Sequence, residues 1–243
     1  FRTNQYMQNV AVYLRQAEVA FEMKEKQRSI YAHPVIRDVM AYLQLAKGLG
    51  NREQLLRIIN KPSRYIKREA ILVKAGKPDF AGMRECYNKP WIEESEKYNA
   101  MDAIGRLERH FGSLEKLSNA SSVTYVLKAL GYEDYLRRQA GNSDKKEEWD
   151  RLLQWLKEDG AKFSNLRKWL EFQQEYGEEL KNGNNSSERE RGSFMGHQQS
   201  VGQDKVAGGA RIHLMTVHAA KGLEFDHVWI PDCNERVFPY GRM

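Results

Sequence analysis

The chain has 243 residues, 41% of them hydrophobic and 30% charged, which is enough apolar material for a sizeable core and excludes a disordered composition. A net charge of +6 and a pI near 9.1 are compatible with a polyanionic partner without specifying one. No apolar run approaches the ~20 residues of a membrane helix, no signal-peptide pattern is present, and Cys86 and Cys233 have no metal-ligand spacing. The corresponding expectations are a cytoplasmic location, no membrane partner and no metal site formed by the chain itself.

In chain order, Met7, Val10, Leu14 and Ala17 recur at helical spacing, so residues 4–17 read as an amphipathic helix with Thr3 or Asn4 as its N-cap. Residues 20–23 read as a short strand. Pro34 suits the first turn of a second helix carrying Val35, Val39, Leu43 and Ala46, which Gly48 and Gly50 end. A shorter helix follows over residues 53–59.

From Pro62 to about Leu180 the pattern is almost wholly helical, with candidates over residues 66–75, 95–117, 122–130, 145–157 and 165–180. Trp149, Trp155 and Trp169 read as core anchors within it. Residues 182–209 are rich in Gly, Asn, Ser and Gln and read as a linker. Two short apolar runs close the chain, Ile212 to Val217 and Val228 to Ile230, both of strand length.

The charge is unevenly distributed. Residues 1–80 hold 15 Lys and Arg against 7 Asp and Glu, so the basic excess lies in the first third. Arg57, Lys61, Arg64, Lys67, Arg68, Lys74 and Lys77 fall within one stretch that has Glu69 as its sole carboxylate. Such a cluster fits phosphate contact and equally fits a solvated helix face.

The densest chemistry lies between the last two runs, where Thr216, His218, Lys221 and Glu224 occupy a connection also holding Ala219, Ala220 and Gly222. That is more reactive side chain than a simple loop needs. Thr216-Val217-His218-Ala219-Ala220-Lys221-Gly222-Leu223-Glu224-Phe225 resembles motif V of the superfamily 1 DNA helicases of the UvrD/PcrA/Rep type. Val237-Phe238-Pro239 resembles its continuation, Phe1-Arg2-Thr3-Asn4 resembles motif IV, and the Gly131-Tyr132 step is similar to one in the family's accessory subdomain.

The resemblance implies an α/β fold: part of a RecA-like 2A subdomain, residues 1–61 and 207–243, with a large all-helical 2B insertion over residues 62–206 that includes a linker at 182–206. It implies ATP and Mg²⁺ as cofactors. Phe1 would stack on adenine, Arg2 would be the catalytic residue that reaches the γ-phosphate, and Glu224 would accept from the ribose. Thr216 and His218 would face single-stranded DNA phosphates. Lys221, Arg57 and Asn60 are further DNA-contact candidates; Lys221 could instead hold Glu224, and a solvated helix end is the alternative for the other two. Always-ionised guanidinium is suited to a transferring phosphoryl group.

Where the family commonly has a Gly-Ile-Gly turn, this chain has Tyr65-Ile66-Lys67, which puts duplex contact through that turn in doubt unless Lys67 and Arg68 replace it by charge. No GxxxxGK[ST] phosphate loop, acidic metal motif or arginine motif VI is present. The chain is therefore expected to be a piece of a longer ATP-dependent DNA helicase, inactive in hydrolysis alone. Its expected partners are single-stranded DNA, a duplex junction, the 1A and 1B subdomains, and repair or replication proteins. The other reading is a non-motor module whose helical middle binds a protein.

Overall fold

The structure, a computed structural model, describes residues 1, 4–19, 21–23, 29–141, 145–191 and 212–231. It is mostly helical with a small parallel sheet. The chain divides into two compact units, Phe1–Tyr31 with Gln173–Met243, and Ala32–Phe172. The second unit therefore includes residues 32–61, which the sequence reading grouped with the chain's two ends.

In the first unit, α1 (Asn4–Gln16) precedes β1 (Phe21–Met23), and β1 pairs in parallel with β4 (Ile212–Leu214) in the register Phe21 to Ile212, Glu22 to His213 and Met23 to Leu214. Met7, Ala11 and Leu214 form its buried cluster, with Phe1, Val10, Leu14, Phe21 and Met23 packed around them. The helical spacing of Met7, Val10 and Leu14 thus becomes one apolar stripe laid on a two-stranded sheet.

The second unit is built around α2 (Pro34–Ala46), where ten of thirteen positions are buried, too many for a helix with one wet face. Pro34 occupies the first turn, where no amide donor is needed, and His33 caps the helix, its Nδ1 accepting from the Val35 amide at 3.3 Å. Next, α3 (Arg52–Ile58) starts with a capping box in which Asn51 and Gln54 exchange side-chain and backbone bonds of 2.9 Å.

Around α2 and α3 lie α4 (Phe80–Tyr87), α5 (Glu94–Leu114), α6 (Asn119–Lys128), α7 (Tyr132–Ala140) and α8 (Lys145–Ala161); α2 packs on α3, α5, α6 and α8, and α4 packs on α5. The Lys47 ammonium donates to the Glu115 and Leu117 carbonyls at 2.6 and 2.8 Å, placing a cation at the end of α5 where the carbonyls are unpaired. Trp155 and Trp169 are buried as expected, and the Trp169 indole donates to buried Asp159 at 2.7 Å. Asn119 ties the same corner together by donating to the Gly160 and Phe163 carbonyls.

Three expectations need correction. Residues 66–75 are not a helix: a single 3-10 turn, Arg68–Ala70, leads into a hairpin of β2 (Val73–Lys74) and β3 (Lys77–Pro78). Ala75 and Gly76 both have positive φ, 50° and 76°, the twist a two-residue hairpin turn requires. A side chain at Gly76 would also place its Cβ 2.2 Å from the Gly48 carbonyl oxygen. Secondly, α9 (Leu166–Arg191) runs into the segment read as linker; extending an existing helix costs less than nucleating one, so it continues through the Asn, Gly and Ser residues to Arg191. Thirdly, residues 228–230 form no strand; they are exposed and have no strand partner among the described residues. The segment 192–206 of the expected linker and the Val237-Phe238-Pro239 string lie outside the described residues.

Burial holds the His33 imidazole below its ordinary value of 6.5, with Glu148 pulling the other way, and burial followed by Arg64 and Arg109 does the same to His110. The folded state therefore binds fewer protons than the unfolded one. This share of stability is complete above the unfolded value of 6.5 and is lost as pH falls through it toward the lowered folded values. Urea midpoints measured at about pH 7.5 and about pH 5.5 should show the loss. His33→Asn, which keeps a capping acceptor but cannot titrate, should flatten the pH dependence, and an unchanged slope would assign the effect elsewhere.

Candidate nucleic-acid interface

In the first unit, the polypeptide leaving β4 is fastened to Phe1. The Phe1 nitrogen donates to the Met215 carbonyl at 3.0 Å, and the Val217 amide donates to the Phe1 carbonyl at 2.8 Å. The two ends that resemble motifs IV and V are thus hydrogen-bonded neighbours. The Phe1 ring is partly buried against the Met7, Ala11 and Leu214 cluster. Arg2 lies outside the described residues.

Thr216 is buried and closes the loop: its Oγ1 accepts from the Ala219 amide at 3.2 Å, and its carbonyl accepts from the Ala220 amide at 3.0 Å. Hydroxyl-to-backbone bonds of this type favour a tight turn over an extended strand. Further turns join Lys221 to His218 and Leu223 to Ala220, and Gly222 sits at φ 79°, where a side chain would be strained. The consequence is that His218, Lys221 and Glu224 are all exposed, while the hydroxyl expected to face phosphate is turned into the loop.

Arg57 and Asn60 lie in the second unit, where the structure gives each an intramolecular partner. Asp38, 4% exposed on α2, is the centre of this group. Its Oδ1 is 2.5 Å from Arg57 Nε, its Oδ2 is 2.8 Å from Lys61 Nζ, and the Tyr132 hydroxyl of α7 donates to Oδ2 at 2.7 Å. Burial first, and the Asp38 charge second, push the Tyr132 phenol far above its ordinary value, so it remains a donor. Arg57 also donates to the Pro34 carbonyl at 3.1 Å.

Asn60 exchanges two bonds with Ile66, donating to its carbonyl at 2.9 Å and accepting from its amide at 3.1 Å. Tyr42, buried beside Asp38, donates to the Lys61 carbonyl at 2.6 Å and accepts from Arg64 at 3.1 Å; Arg64 also donates to the Ile58 and Ile59 carbonyls. The basic stretch is therefore largely committed within the fold. Lys67 pairs with Glu96 at 2.5 Å and Lys77 with Glu115 at 2.6 Å, while Arg68 and Lys74 are exposed.

Sequence reasoning missed Asp38, Tyr42 and Tyr132. The available signal was one carboxylate among the apolar positions of an otherwise buried helix, since a buried charge requires partners. Among the described residues, no group of three or more His, Cys, Asp or Glu is placed to hold a metal ion, and no helix is long and apolar enough to cross a membrane.

The family model described as the UvrD-like helicase C-terminal domain matches residues 1–243, and the chain belongs to that family. It is 26% identical over 221 residues to a probable DNA helicase II homolog of Rickettsia conorii, covering 87% of this chain and 30% of that protein. It is 24% identical over 260 residues to the ATP-dependent DNA helicase PcrA of Leuconostoc citreum, covering 100% of this chain and 31% of that protein. A third relative is the ATP-dependent DNA helicase Rep of Buchnera aphidicola subsp. Baizongia pistaciae, 26% identical over 229 residues, with 88% and 31% covered. The chain thus spans about a third of the length of these relatives.

The Asp38 group sets a measurable order of stabilities. Asp38→Ala would strand Arg57, Lys61 and the Tyr132 hydroxyl and should cost about 3 kcal/mol. Tyr132→Phe, which removes one bond and leaves the ion pairs, should cost about 1–2 kcal/mol. Urea unfolding ranks the two, and a Tyr132→Phe loss larger than the Asp38→Ala loss would contradict this account.

Proposed function

We propose that this chain is the part of an ATP-dependent DNA helicase that contributes nucleotide and single-stranded DNA contacts for translocation and unwinding. The observation that carries the reading is the loop after β4, where His218, Lys221 and Glu224 are exposed on a turn braced by Thr216 and by the Phe1 backbone. Membership of the UvrD-like C-terminal family supports it, as do the ATP-dependent DNA helicases among its relatives.

The subdomain assignment belongs to the same proposal. Residues 1–61 and 207–243 would form the RecA-like 2A part, and residues 62–206 the helical 2B part with its linker. Within 2A, exposed His218 and Lys221 are suited to phosphate, the first through an imidazole N–H and the second as a point charge. Single-stranded DNA is the partner this chemistry fits.

The groups present fit part of a nucleotide. Exposed Glu224 can accept from ribose hydroxyls, and Phe1, tied to the loop through its backbone, offers a partly buried aromatic ring. No phosphate-cradling loop occurs in the sequence, so the triphosphate and Mg²⁺ would be held mainly by the 1A part of the helicase, with Arg2 reaching the γ-phosphate. When bound, the nucleotide supplies the phosphoryl-transfer free energy. Glu224 and Phe1 bind and orient it, and His218 and Lys221 hold the strand being moved.

Two measurements test this. The isolated chain should show no DNA-stimulated ATP turnover, and detectable turnover would contradict the division of labour. Single-stranded DNA binding across a salt series should weaken for both His218→Ala and Lys221→Ala. Only Lys221→Ala should also flatten the logarithmic salt slope, by roughly 0.7, because it removes one phosphate-neutralising charge. Binding unaffected by either substitution would remove DNA from this loop and favour a helical module that binds a protein.

A further inference from the structure

Tyr65 combines two properties that a structural residue does not need. Its backbone lies at φ 56°, in the left-handed region that disfavours aromatic side chains, and its side chain is 90% exposed. An exposed ring contributes little burial to offset the backbone cost, so folding does not account for it.

The strained residue is held firmly from both sides. Before it, Arg64 is fixed by the Ile58 and Ile59 carbonyls and the Tyr42 hydroxyl. After it, Ile66 is locked by the reciprocal Asn60 bonds, and the Lys67 amide donates to the Tyr87 hydroxyl at 2.7 Å. The Asp38 group beneath it fixes Arg57 and Lys61 in turn. Tyr65 is therefore presented on a rigid turn.

That turn forms one wall of a groove of about 690 Å³, within the size range of small-ligand sites. Asn99, Arg106 and His110 of α5 lie on the groove lining. Its carboxylates are already matched, Glu96 by Lys67 and Asp102 by Arg106 at 2.7 Å. Arg64 bonds to neutral acceptors, the Ile58 and Ile59 carbonyls and the Tyr42 hydroxyl, while Arg57 and Lys61 share the single carboxylate of Asp38. The groove wall therefore carries the Arg64 guanidinium, bonded to neutral acceptors, next to the exposed Tyr65 side chain.

We propose that Tyr65 is a stacking platform for an unpaired DNA base, with the adjoining phosphate drawn toward the Arg64 side of the groove. A π-face together with a cationic wall recognises a nucleotide with little regard to base identity. Asn60, Arg57 and Asp38 act as positioning residues for this turn. The proposal rests on the DNA-contact reading above and adds a second contact, on the helical unit, made through a base.

The test is binding of a single-stranded oligonucleotide carrying 2-aminopurine, whose fluorescence is quenched by stacking, to the chain and to Tyr65→Gly and Tyr65→Phe variants. Tyr65→Gly relieves the positive-φ strain, so its thermal midpoint should equal or exceed that of the unsubstituted chain. Its affinity should nevertheless fall roughly ten-fold, with loss of the quench, while Tyr65→Phe retains both. Undiminished affinity and quench in Tyr65→Gly would overturn the stacking role and leave the motif V contacts standing. Absence of DNA binding by the unsubstituted chain would overturn both readings. A protein ligand whose capture alone depends on Tyr65 would overturn this one.

Discussion

A carboxylate buried in the central helix of the second unit is the constraint that ties that unit's segments together. Asp38 sits where α2 is surrounded by other helices, a position that an unpaired charge could not hold. Arg57 reaches it from the last turn of α3, Lys61 from the chain just beyond, and Tyr132 from α7. Three separate segments are thus brought to one point with fixed orientation. Because both cations are only partly buried, their attraction is obtained without the full desolvation cost of a wholly enclosed pair.

The loop after β4 uses a different economy. A hydroxyl, two backbone bonds to Phe1 and one left-handed glycine define its course. Residues that shape the loop, Thr216 and Gly222, alternate with residues that reach outward, His218, Lys221 and Glu224. The same separation holds in the helical unit, where Asn60 and Arg64 shape the turn that carries Tyr65 outward. In both places an exposed side chain depends on a neighbour whose own polar groups are spent on the backbone.

Family, helical character and the reactive loop were legible because each is written locally. Residues 4–16 and 34–46 carry helical periodicity, and the loop's chemistry is contiguous from Thr216 to Glu224. The misreadings were of partnership. Residues 66–75 look helical by composition, yet Ala75 and Gly76 turn back because Gly76 fits closely under Gly48, a contact no local pattern announces. Residues 228–230 have strand composition but, among the described residues, no neighbour to pair with. Arg57 and Asn60 read as free polar groups, since Asp38 lies 19 residues before the first and the Asn60 bonds depend on the turn reaching Ile66. Asp38 itself could not be placed in a network whose other buried member, Tyr132, is 94 residues away.

Four of the five tryptophans are partitioned in a way that makes the molecule report on itself. Trp155 and Trp169 are buried, the second with its indole donating to Asp159, whereas Trp91 and Trp229 are each 78% exposed. Indoles in such contrasting surroundings emit and are quenched differently, so the core and the surface have separable optical signatures. Trp229 follows Glu224 by five residues, and Trp91 precedes α5, which lines the groove beside Tyr65. Four of the five tryptophans thus divide into one exposed indole near each candidate DNA-facing region and a buried pair as an internal reference, with Trp149 of α8 half-buried between these extremes.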